Sequence, residues 1–300
     1  MRYNHWRNIQ TLMLLFFIAL PGHIWADGKD TLKISVSILP QKYFVEQLFE
    51  PPLDVRVIIG PGQSPATYEP SPKQLAEFGK SSHYYTIGVP FEKHLVQKLR
   101  ASFPKIDISD TQHGILLRHI EDHSHAEHEG HDCSADKETL DPHLWLDPII
   151  VKTIAQNMSS GYKTGNDDTN DSYKTMLSEF LIKLDRLDAY ISRTLAPFKG
   201  QKLYVFHPSF GYFCDRYHLL QVAIETGGKE PSARQLAELI TQAKKEKIKT
   251  IIIQSQFSKK TAEAIASEIG AEVIALDPLA YDYINNMKYM ADTIAKALSK

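Results

Sequence analysis

Apolar and polar positions alternate between two rhythms over residues 32–109. Leu32–Ile38 (LKISVSI), Leu53–Ile59 (LDVRVII), Tyr84–Ile87 and Ile106–Ser109 are short runs rich in β-branched or aromatic residues, the pattern of buried strands. Gln41–Phe49, Pro72–Lys80 and Phe91–Arg100 read as helices between them, and Ser71 is placed to cap the second. The rhythm returns in the second half. Lys202–Phe206, Leu219–Ile224, Thr250–Gln254 and Glu272–Leu276 read as strands. Ser209–Tyr217, Ser232–Glu246, Ser258–Ile269 and Ile284–Leu298 read as helices, with Gly270 closing the third. A βα alternation of this kind predicts an α/β chain with mostly parallel sheets flanked by helices.

A different pattern separates the halves. Tyr173, Leu177, Phe180, Leu181, Leu184, Leu187, Ile191 and Leu195 fall at helical spacing across Asp171–Leu195. Such a helix is about 37 Å long, and Pro197 and Gly200 end it. The predicted organisation is two similar α/β lobes joined by one long rigid backbone helix. The N-terminal lobe covers residues 27–165, the linking helix 166–198 and the C-terminal lobe 199–300. Residues 1–26 stand apart. Arg2 and Arg7 precede the short apolar run Thr11–Leu20, Pro21 and Gly22 break it, and Trp25-Ala26 offers a cleavage point. This reads as a secretory signal peptide, which places the remainder in an exported compartment, the periplasm. No cysteine follows the run to carry a lipid anchor.

Composition is that of an ordinary globular chain, with 43% hydrophobic and 23% charged residues among 300. Losing Arg2 and Arg7 takes the formal charge from −2 to −4. No basic stripe is present, which argues against nucleic acid as a partner. The two cysteines, Cys133 and Cys214, either pair in an oxidising compartment or stand as unrelated thiols.

Candidate chemistry lies in four short segments: Gly60–Pro70 (GPGQSPATYEP), Asp141–Pro148 (DPHLWLDP), Val205–Phe210 (VFHPSF) and Ala275–Leu279 (ALDPL). Three of them set a strong metal ligand beside a proline: His143, His207 and Asp277. Imidazole and carboxylate donors on short rigid turns suit a borderline divalent cation such as Zn(II). His207 and Asp277 each follow an apolar strand, at the strand ends where α/β sheets bind ligands. Asp141 and Asp147 are available to cap turns or to take the second imidazole N–H of a ligand. In the first segment, Glu69 is placed either to coordinate or to interact favourably with the start of the following helix. Upstream of the second segment, His119–Asp132 (HIEDHSHAEHEGHD) is polar and rich in histidine. Its His119, His123, His125, His128 and His131 are candidate weaker metal contacts. No G-x-S-x-G, P-loop or H-E-x-x-H motif is present.

Taken together, and in this order, the four segments resemble the zinc and manganese solute-binding proteins of bacterial ABC importers, the ZnuA-like family. The resemblance rests on GPGQSPATYEPSP, DPHLWLDP, HPSFGYF and ALDPL followed by YINNM, and it spans nearly the whole chain from Leu32. It implies a metal cleft between two lobes and delivery of the metal to a membrane permease. It also implies His143, His207 and Asp277 as ligands, with zinc preferred over manganese because His207 stands where the manganese branch has a carboxylate. Nitrogen donors favour Zn(II) over Mn(II) on their own account. The chain departs from the family in the first box, where Pro65-Ala66 replaces Pro-His. The fourth position then falls to water, Glu69 or a loop histidine. The expected protein is a monomer and not an enzyme. Two other readings remain open: a secreted zinc metallohydrolase, and a diverged binding protein for another metal or a metal chelate.

Overall fold

The structure is a computed structural model that describes residues 31–120, 140–162, 167–225, 233–257 and 259–300. Four strands, β1 (Leu32–Val36), β2 (Leu53–Val57), β3 (His83–Thr86) and β4 (Asp107–Asp110), form a parallel sheet in the order β2-β1-β3-β4. Helices α1 (Leu39–Leu48), α2 (Pro72–Phe78) and α3 (Glu92–Ser102) connect them. The second sheet repeats the plan with β5 (Lys202–Val205), β6 (Leu220–Ala223), β7 (Thr250–Gln254) and β8 (Glu272–Leu276), all parallel, in the order β6-β5-β7-β8. Its helices are α6 (Gly211–Tyr217), α7 (Ala233–Lys245), α8 (Lys259–Ile269) and α9 (Tyr283–Leu298). In each sheet the chain reverses direction of travel beside its first strand, which creates a crevice at the strands' C-terminal ends.

Burial on both faces explains the apolar runs. In β7, Ile252 points into the main core while Ile251 and Ile253 join a smaller cluster with Phe206, Ile224, Ala262 and Ile265. A parallel strand covered on both sides has no polar face to show. Ser71 caps α2 as predicted: the Gln74 amide donates to its Oγ at 3.3 Å, and the Gln74 side chain completes the box.

The sequence predicts no helix over 148–161, yet α4 (Pro148–Gly161) runs there. Its leading Pro-Ile-Ile-Val resembles a strand, but Val151, Ile154, Ala155 and Met158 are buried at helical spacing. Asp147 starts the helix, accepting from the amides of Ile149 at 2.8 Å and Ile150 at 3.3 Å.

The long helix α5 (Asp167–Leu195) has 29 residues, about 43 Å. Phe180, Leu184, Leu187, Ile191 and Leu195 form its fully buried stripe. It packs on α1, α4 and α9. Phe44 of α1 lies 5.8 Å from Phe180 and meets Tyr283 of α9 edge-on at 4.9 Å. One apolar cluster therefore reaches from β1 and β3 through α5 to β5 and α9.

Candidate metal centre

His143 sits in a short turn that Pro142 and Asp141 hold. One carboxylate oxygen of Asp141 accepts from the His143 backbone amide at 2.9 Å and from its ring Nδ1 at 2.8 Å. A carboxylate acceptor at Nδ1 keeps the proton there and leaves the Nε2 lone pair for a metal. Burial pushes the His143 imidazolium down against the pull of Asp141, so the ring favours its neutral form. Neutral imidazole is the form that ligates.

His207 follows β5 at the crevice between β5 and β7. Its Nδ1 lies 3.2 Å from Oε2 of Glu225. Gln254 brackets its backbone: Oε1 accepts from the His207 amide at 3.3 Å, and Nε2 donates to the His207 carbonyl at 2.7 Å. Phe257 stacks on the imidazole, 4.8 Å between ring centres and 25° between planes. The two histidine rings meet edge to face, with centres 5.3 Å apart and planes at 75°. Both rings thus have Nδ1 beside a buried carboxylate, Asp141 for His143 and Glu225 for His207.

Asp277 follows β8 and is half-buried. Its Oδ1 accepts from Gln256 Nε2 at 2.7 Å and from the Leu279 amide at 3.0 Å. Its carbonyl accepts from Asn286 at 2.8 Å. Among the described residues no three or more His, Cys, Asp or Glu side chains stand close enough to hold a metal ion together. The structure therefore brings His143 and His207 side by side and does not draw Asp277 into a ligating group with them.

The first box is an exposed turn. Gln63 folds back on it, its Oε1 accepting from the Gly60 amide at 2.8 Å, and Ser64 Oγ accepts from the Ala66 amide at 3.3 Å. Ala66 and Glu69 are both exposed. His119 is exposed and bridges Leu140 in antiparallel fashion. His123, His125, His128, His131 and Cys133 lie outside the described residues, and Cys214 is buried in α6.

Sequence reasoning identifies Asp141 as a candidate imidazole acceptor and misses Glu225, Gln254, Gln256 and Phe257. Strand register holds the signal for two of them. Val205 pairs with Ala223 and with Ile252, so extending each pairing by two residues sets His207 beside Glu225 and Gln254.

Comparison with known proteins gives a consistent answer. The family model for the periplasmic zinc-uptake complex component A, ZnuA, matches residues 34–297. The high-affinity zinc uptake system protein ZnuA of Bacillus subtilis (strain 168) is 29% identical over 299 residues, covering 91% of this chain and 90% of that protein. The zinc-binding lipoprotein AdcA of Streptococcus pneumoniae serotype 4 is 29% identical over 280 residues, spanning 90% of this chain but only 54% of AdcA. A crystal structure of ZnuA is 38% identical and superposes with a TM-score of 0.81, covering 90% of this chain and 100% of the other.

Proposed function

The chain belongs to the zinc-uptake component A family, and on that premise we propose that it captures Zn(II) between its two lobes and delivers it to the permease of an ABC importer. The observation that carries the reading is the His143–His207 pair, two imidazoles 5.3 Å apart with their Nδ1 atoms engaged by Asp141 and Glu225. Two imidazole nitrogen donors favour zinc over manganese. Asp277 is the third donor in this reading. Its Oδ1 is occupied by Gln256 and Leu279, which leaves Oδ2 for the metal and makes it a one-oxygen ligand. The remaining position of a tetrahedral zinc falls to water, Glu69 or a loop histidine.

The reading makes this a carrier outside the cytoplasm, either free in the periplasm or held at the membrane surface. No helix among the described residues is long and apolar enough to cross a membrane. Zinc is cargo here, so the site needs to bind and release rather than turn over.

Calorimetry against a competing chelator tests the reading. One Zn(II) per chain is expected, and His143→Ala and His207→Ala should each weaken binding by more than about tenfold, since each removes a donor. Parent-like binding by both variants would put the site elsewhere.

A further inference from the structure

The carboxylate of Asp141 does more than receive His143. Its side chain is fully buried, and while Oδ1 holds the histidine, Oδ2 faces Nη1 of Arg118 at 3.3 Å. The same guanidinium reaches the C-terminal half of the chain: its Nε pairs with Oδ2 of Asp215 on α6 at 3.0 Å. It lies over the Tyr212 ring, 5.8 Å from the centre. The backbone repeats the link. The Tyr212 hydroxyl accepts from the Arg118 amide at 3.0 Å and donates to the Asp141 carbonyl at 3.2 Å, and the Asp141 amide donates to the Arg118 carbonyl at 2.9 Å.

Gly211 completes the arrangement. A Cβ at that position would stand 1.4 Å from Arg118 Nη1 and 2.6 Å from Asp141 Oδ2. The guanidinium occupies the space a side chain would take. Gly211, Tyr212 and Asp215 all belong to the helix that follows His207, whereas Asp141 belongs to the turn that carries His143.

Resting on the reading of His143 and His207 as zinc ligands, we propose that Arg118 is the positioning residue that fixes one histidine relative to the other. It does not touch the cation. Its planar fork joins the acceptor of His143 to the helix behind His207, a task that a point charge performs less well. It also supplies the cation without which the buried Asp141 carboxylate would stand uncompensated.

The test compares the parent with Arg118→Met, Arg118→Lys, Gly211→Ala and His143→Ala. Zn(II) affinity, the visible bands of the Co(II)-loaded form and the thermal transition of the metal-free protein are measured for each. Arg118→Met should lose about 10–100-fold in Zn(II) affinity, the usual cost of removing a partner behind a ligand, and should shift the Co(II) bands. Arg118→Lys, which keeps the charge and loses the fork, should fall between Met and the parent. Gly211→Ala, which displaces the guanidinium without removing it, should move in the same direction as Met. If Arg118→Met binds both metals within about twofold of the parent, Arg118 only fills space, and if Arg118→Lys binds like the parent while Met loses affinity, charge alone suffices; either result overturns the proposal. Should Arg118→Met fail to fold, Arg118→Lys and Gly211→Ala decide, and parent-like binding by both overturns it. Failure of the underlying site reading looks different: His143→Ala would then bind Zn(II) as well as the parent does.

Discussion

The indole N–H of Trp145 donates to the carbonyl of Pro278 at 2.9 Å, so the turn that carries His143 is bolted to the turn that carries Asp277. Tyr283 strengthens the joint, its hydroxyl donating to the Trp145 carbonyl at 2.7 Å. All three residues are buried. Trp145→Phe keeps most of the packing and leaves the Pro278 carbonyl without its donor. It should destabilise the metal-free protein by about 1–3 kcal/mol, the cost of orphaning a buried acceptor. Urea unfolding measures this, and an unchanged midpoint would mean that the carbonyl finds another donor.

Ala66 offers no donor where the family's first box usually has a histidine. If this turn adjoins the zinc, Ala66→His adds an imidazole at the position the reading gives to water, Glu69 or a loop histidine, and Zn(II) binding should tighten by about tenfold or more. The exposed turn accommodates the larger side chain without displacing core residues. Competition with a chelator of known affinity reads the result. Equal or weaker binding would show that the first box stands away from the metal.

Glu92 makes the N-terminal lobe sensitive to pH. Its carboxylate is buried at the start of α3, where it accepts from the amides of Ile87 at 2.9 Å and Gly88 at 2.6 Å and from the Ser37 hydroxyl. Burial pushes its pKa up to about 7, against these hydrogen bonds. The unfolded chain releases this proton near pH 4.5, so between about 4.5 and 7 the native state holds the extra proton. Stability therefore falls as pH rises through that window, by about 3 kcal/mol in total. Glu92→Gln cannot ionise and should flatten that part of the profile. Urea midpoints of parent and variant from pH 5 to pH 8 test this, and parallel curves would refute it.

The central strands were legible because they are covered on both faces and so read as nearly unbroken apolar runs, as in Thr250–Gln254. The buried stripe of α5 was legible for the complementary reason: its face repeats at helical spacing without interruption from Phe180 to Leu195. Helix α4 was not, because Ile149, Ile150 and Val151 favour extended structure locally, and Asp147 followed by Pro148 starts a turn as readily as a helix. The histidines announced themselves by residue type and by the prolines beside them. Glu225, Gln254 and Phe257 did not, because their relation to His207 exists only once β5 pairs with β6 and β7. Asp141 and Asp147 looked interchangeable in DPHLWLDP. The fold separates them: Asp141 takes the imidazole, while Asp147 caps α4 and receives Arg216 at 2.9 Å.

The apolar cluster that passes from β1 through α5 to β5 and α9 leaves the N-terminal sheet with no core of its own. The C-terminal sheet keeps only a smaller private cluster around Ile251 and Ile253. Residues 31–300 form one compact unit, so the two halves should lose their shared packing together on heating. A chain cut near residue 198 would turn the Phe180–Leu195 stripe toward water and lose the partner that holds it. Wide parting of the halves would expose that shared interior and is disfavoured on the same ground.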